Sequence, residues 1–276
     1  MKILNITEQH NANFCGGMTS KIKSEIASTD CKRIEAALFR EQGINTDFAG
    51  NKVIAWCVKK VTDIFTELNN KYKLNLFFPQ NVMTEDLRKF KGMPENMIYG
   101  FTNFLPCRLY KNEDTILPPM SIVFNRDFAW ERLDIISDYD YSNNHTATDN
   151  FLESFFHEFC HILHEGNLIT KFGPAKFSDK ISEMTNKKES LIFNKKYSRL
   201  ICRQLCNYAA ENPTDLIACD MSKRFIKNID SNTFETTSNP YKDSPYNSFY
   251  KYLQLFDKQF NLDKLIYKIY NGQSIK

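Results

Sequence analysis

A chain of 276 residues with net charge +3, 42% apolar residues, 23 Phe and 13 Tyr can bury a sizeable core. Its charge is too small for a broad nucleic-acid-binding face. No apolar run approaches the roughly 20 residues of a membrane span, so neither nucleic acid nor membrane is expected as a partner. The start, Met1-Lys2-Ile3-Leu4-Asn5-Ile6, lacks the hydrophobic region of a signal peptide. The eight cysteines are scattered and none forms C-x-x-C, which argues against a small disulfide scaffold and for free thiols. A cytoplasmic protein, or one exported without a conventional signal, is the expectation.

Residues 1–24 are polar, carry Gly16-Gly17 and read as a loose tail before one unit spanning 25–276. Within that unit, 25–148 is expected to mix helix and sheet, and 149–276 to be helical. A helix is predicted over Cys31–Gln42, ended by Gly43. Another is predicted over about Asn51–Lys71, where Val53, Ile54, Cys57, Val61, Ile64, Phe65 and Leu68 recur at helical spacing. Leu74–Phe78, Met97–Phe104, Arg108–Tyr110 and Ser121–Phe124 are short, apolar or aromatic runs bounded by Pro, Gly or Asn, and read as strands. Asp134, Asp138 and Asp140 lead into an exposed polar connection, Ser142–Asp149, whose spacing fits no calcium loop. Helices are then predicted over Asn150–Glu165, about Lys188–Ala210, Pro213–Asn228 and Tyr246–Tyr270. The Lys-rich stretch between Lys171 and Arg199 reads as a solvated face. The fold class is therefore α+β: a small mixed sheet packed on a central helix, with a mainly helical C-terminal half.

The central helix carries the chemistry. It contains His157-Glu158-Phe159-Cys160-His161, an H-E-x-x-H motif. Imidazoles at i and i+4 lie nearly one above the other on a helix and can grip one tetrahedral zinc. Glu158, one residue on from the first histidine, is placed to take a proton from water without occupying a coordination position. Asn150 and Glu153 have the spacing of a capping box, and Gly166 is expected to stop the helix after Glu165. Glu165 is then a solvated helix-end residue, and Cys160 a small buried hydrophobe.

A catalytic zinc needs three protein ligands. His164 lies only three residues from His161 and would have to bend back around the metal. A better source is Asn212-Pro213-Thr214-Asp215, where Asn212 is a good N-cap and Pro213 a good first helical residue. That places Asp215 in the first turn of a second helix, where the dipole favours a carboxylate. Glu211 is the rival ligand. Cys202 and Cys206, at i and i+4 with no nearby partner pair, read as packing.

The combination of His157-Glu158-x-x-His161 with Tyr208 and Asn212-x-x-Asp215-x-x-Ala218 resembles the catalytic domain of anthrax toxin lethal factor and related zinc peptidases of the zincin type. The likeness covers roughly residues 150–220. It implies a zincin-like metallopeptidase fold, Zn2+ held by His157, His161 and Asp215, Glu158 as general base, and Tyr208 as the donor that stabilises the oxyanion. The implied activity is that of a zinc metalloendopeptidase acting on a protein or peptide substrate. In zinc peptidases generally an edge strand beside the active-site helix pairs with extended substrate; Ser121–Phe124 is either that strand or an ordinary one. The chain departs from the family in having aspartate where the ligand is usually glutamate, and Cys219 where a glutamate usually follows the ligand by four residues. A zinc protein without catalysis, or a zinc hydrolase of a non-peptide amide, is the alternative.

Overall fold

The computed structural model describes residues 17–72, 76–89, 99–105, 107–108, 116–185 and 195–231. The expected helix Tyr246–Tyr270 lies outside the described residues, as do most of the expected tail, the start of the expected helix Lys188–Ala210 at 188–194, and parts of the expected strands at 74–75, 97–98 and 109–110. The first helix, α1 (Ser20–Ala27), takes up the end of the stretch expected as a tail, because Ile22 and Ile26 sit one turn apart and both are buried. Next, α2 (Cys31–Gln42) starts where Asp30 Oδ1 accepts the amide of Arg33 at 3.1 Å and ends at Gly43, whose φ of 70° is left-handed. After β1 (Asn45–Asp47) comes α3 (Lys52–Tyr72), opened by Asn51, whose side chain accepts the amide of Ile54 at 3.0 Å.

The remaining strands are β2 (Asn81–Glu85), β3 (Gly100–Asn103), β4 (Cys107–Arg108), β5 (Ile116–Leu117) and β6 (Ser121–Asn125). The four-stranded sheet has the order β1-β2-β6-β3. Its first three strands are parallel, with Val82 level with both Thr46 and Ile122; β3 runs antiparallel to β6, with Phe101 opposite Val123. β4 and β5 form a separate short ribbon. The strand expected at Leu74–Phe78 falls instead at 81–85. Pro79 has no N–H to give, and pairing starts just beyond it, where Gln80 N donates to Met120 O at 2.8 Å. β6 is interior to the sheet, so Ser121–Phe124 is not an edge strand; among the described residues the edges are β1 and β3.

Further on lie α4 (Leu133–Ser142), α5 (Glu153–Phe172), α6 (Pro174–Thr185), α7 (Lys195–Gln204) and α8 (Pro213–Ser231). The acidic residues that lead into the connection lie on helix α4, and beyond Ser142 the chain runs through turns and bends to Asp149, as expected. Asp134 and Asp140 face inward, the first toward Lys23 Nζ at 2.8 Å and the second accepting the Tyr99 hydroxyl at 2.6 Å. The helix expected through Ala210 ends at Gln204. Asn207 N donates to Asn144 O at 2.7 Å rather than to a helical carbonyl, and a short turn, Tyr208–Ala210, follows.

The core gathers on α5. Phe65 of α3 meets Phe156 and Phe159 of α5 and Phe225 of α8, with ring centroids 5.8, 5.6 and 4.5 Å away. On the sheet side Phe155 packs on Phe124 and Trp130. Each fully buried phenylalanine contributes roughly 1.5–3 kcal/mol. Gly166 does not stop α5, which continues to Phe172 before Gly173 ends it. Gly166 is buried against the ring of Phe77, where a Cβ would lie 2.9 Å from Cγ. Its role is close approach, not termination.

Candidate metal centre

The helical repeat of α5 stacks the rings of His157 and His161 edge to face, with centroids 4.7 Å apart and Nε2 atoms 3.0 Å apart. The third group comes from the first turn of α8. Asn212 caps that helix, its Oδ1 accepting the amide of Asp215 at 2.9 Å and the hydroxyl of Thr214 at 2.7 Å, while its Nδ2 donates to Asp215 Oδ2. With one carboxylate oxygen held by the cap, the other is turned toward the imidazoles. Asp215 Oδ1 lies 3.3 Å from His161 Nε2 and 3.7 Å from His157 Nε2. All three side chains are buried.

These distances fit a metal. The edges of the Nε2, Nε2, Oδ1 triangle, 3.0, 3.3 and 3.7 Å, bracket the roughly 3.4 Å edge of a tetrahedron with bonds of about 2.0–2.1 Å. A point about 2.05 Å from all three atoms stands roughly 0.6 Å out of their plane, against about 0.7 Å for an ideal tetrahedral centre. Among the described residues this is the one group of three or more His, Cys, Asp or Glu side chains with converging ligand atoms. The nitrogen and oxygen donors suit zinc and other borderline divalent ions.

Each histidine has an outer partner on its other nitrogen. His161 Nδ1 faces Glu165 Oε1 at 3.5 Å, and His157 Nδ1 faces Cys219 Sγ at 3.6 Å. Burial alone would lower the pKa of His161, but hydrogen bonds with Asp215 and Glu165 push it up to about 10 in the metal-free protein. Burial would likewise raise Asp215, yet the two imidazoles hold its carboxyl well below the usual range. Burial raises Glu165, opposed by His161.

Glu158 is buried, and its Oε2 accepts the hydroxyl of Thr102 on β3 at 2.5 Å. The ring of Tyr208 lies 5.6 Å from that of His157 and is 40% exposed. Partial burial and the charges of Asp215 and Glu158 push that phenol far above the ordinary range, so it stays a donor. Glu211, the rival ligand, is exposed and outside the triad, and buried His164 is not part of it either.

Glu165 is corrected from a solvated end to a buried partner of His161, because the helix runs on past it. The signal was present: it stands four residues after His161, the same spacing that stacks the two histidines. The expected capping box is also rearranged. Asn150 Oδ1 accepts the amide of Leu152 at 2.9 Å, while Glu153 reaches back to Ala147 N at 2.7 Å and to the Thr148 hydroxyl. Thr102 has no signature in sequence, since only the sheet brings it to α5. Cys206, read with Cys202 as packing, is buried in the core with Cys202 against it, and its Sγ lies 3.7 Å from Cys219 Sγ.

Comparison with protein-family models, curated proteins and solved structures gives no match for this chain. No helix among the described residues is long and apolar enough to cross a membrane.

Proposed function

We propose that this protein is a zinc-dependent endopeptidase with a zincin-like arrangement. The observation that carries the reading is the convergence of His157, His161 and Asp215 at tetrahedral spacing, with Glu158 one residue from the first ligand. His157, His161 and Asp215 would hold the ion, which would supply Lewis acidity and the activation of water near neutral pH. Glu158 takes a proton from the attacking water and passes it to the departing amine. Thr102 holds the Glu158 carboxylate through its hydroxyl, so the base is oriented before substrate arrives. Tyr208, at the open side of the site, donates to the oxyanion. The outer side of β3, the last strand of the sheet, is where an extended peptide pairs with the protein, as in strand addition.

The test is Glu158→Gln. The variant keeps one metal per chain and loses hydrolysis of a peptide library that the wild type cleaves. Hydrolysis retained in that variant refutes Glu158 as the base.

A further inference from the structure

The two histidines that face Asp215 are held from behind by chemically different groups. His161 has a carboxylate, Glu165, as is common for metal-binding imidazoles. His157 has a sulfur. Its Nδ1 lies 3.6 Å from Cys219 Sγ, on the second turn of α8, four residues after Asp215. That sulfur is itself fixed: the thiol of Cys206 donates to it at 3.7 Å, and Cys206 Sγ in turn accepts the amide of Ala209 at 3.4 Å. The chain of contacts therefore runs from the turn that bears Tyr208, through Cys206 and Cys219, to His157. Cys206, Cys219 and Ala209 are all buried.

We infer that Cys219, braced by Cys206, is a positioning residue for His157: its sulfur accepts the Nδ1 proton and so leaves Nε2 bare toward Asp215 Oδ1. A histidine offers only one unprotonated nitrogen when neutral, and the hydrogen bond at the other nitrogen chooses which. Thiol sulfur is a weak acceptor beside a carboxylate. The two rings are therefore held from behind by different groups, a carboxylate for His161 and a thiol for His157. The sulfur pair also ties ring orientation in α5 to the position of the Tyr208 turn. Loosening Cys206 disturbs His157 without touching it. The inference rests on the metal-centre reading given above, but the histidine contact can be observed with or without metal.

The experiment uses Cys219→Ala and Cys206→Ala, with Cys57→Ala as a matched truncation of a buried cysteine on α3. Zinc affinity is measured by competition with a chromogenic chelator, and the His157 ring nitrogens and Nδ1–H are followed by long-range 15N–1H NMR. The expected result is about a tenfold weaker Kd for zinc in Cys219→Ala, a smaller loss in Cys206→Ala and none in Cys57→Ala. In the metal-free wild type His157 carries its proton on Nδ1, with slow solvent exchange that becomes fast in Cys219→Ala. An unchanged Kd in Cys219→Ala, or a wild-type His157 protonated on Nε2 alone, overturns the inference. If the wild type binds no zinc, the metal reading fails, and the NMR arm still decides the His157–Cys219 contact.

Discussion

The pKa of His161 makes a quantitative demand on metal binding. In the metal-free protein the buried imidazole is pushed up to about 10 by Asp215 and Glu165, so at pH 7 it holds a proton on or beside the position a metal would take. Displacing that proton three pH units below its pKa costs about 4 kcal/mol, or roughly a thousandfold in apparent affinity. Affinity for zinc is therefore expected to rise about tenfold per pH unit from pH 7 to 9 and to level off near 10. Chelator competition at fixed pH values reads this slope. Calorimetry in two buffers of different ionisation enthalpy reads the release of about one proton per metal at pH 7. The metal-free protein carries the matching stability signature. His161 is raised from 6.5, so its contribution is complete below pH 6.5 and is lost as pH rises through about 10. Asp215 is depressed from 3.8, so its contribution is present above that value and is lost as pH falls below it. Both describe one ion pair and count once. Metal affinity independent of pH, with no proton released, refutes this electrostatic account.

Glu165→Ala removes the carboxylate behind His161 and is expected to weaken zinc binding by 10- to 100-fold, measured by chelator competition. Thr102→Val keeps the shape of β3 but removes the donor to Glu158; kcat/KM on a cleaved peptide should fall about tenfold with metal content unchanged. Gly166→Ala places a methyl 2.9 Å from the root of the Phe77 ring. The clash outweighs the helix-propensity gain, lowering stability by about 1–2 kcal/mol in denaturant unfolding.

What could be read from the sequence was what obeys local periodicity. The i, i+4 spacing of His157 and His161, the Asn212-Pro213 start that brings Asp215 forward, and Gly43 as the end of α2 all act within a few residues, and their positions follow from helix geometry. The failures share a different cause, which is that a distant neighbour decided the outcome. Gly166 has the composition of a helix stop, but Phe77 uses it as a socket; continuing α5 then buried Glu165. Strand β2 carries Asn81, Thr84 and Glu85, so its alternation of half-buried and buried positions is set by the sheet and not by an apolar pattern in the sequence. The pairing of Cys219 with His157, and of Thr102 with Glu158, spans 62 and 56 residues and leaves no local trace.

The most direct test of the central claim is an anomalous difference map at the zinc edge from crystals of the zinc-loaded protein. The account predicts one strong peak per chain, about 2.0–2.2 Å from His157 Nε2, His161 Nε2 and Asp215 Oδ1. No peak between those atoms, or a peak whose ligands leave out Asp215, would contradict it.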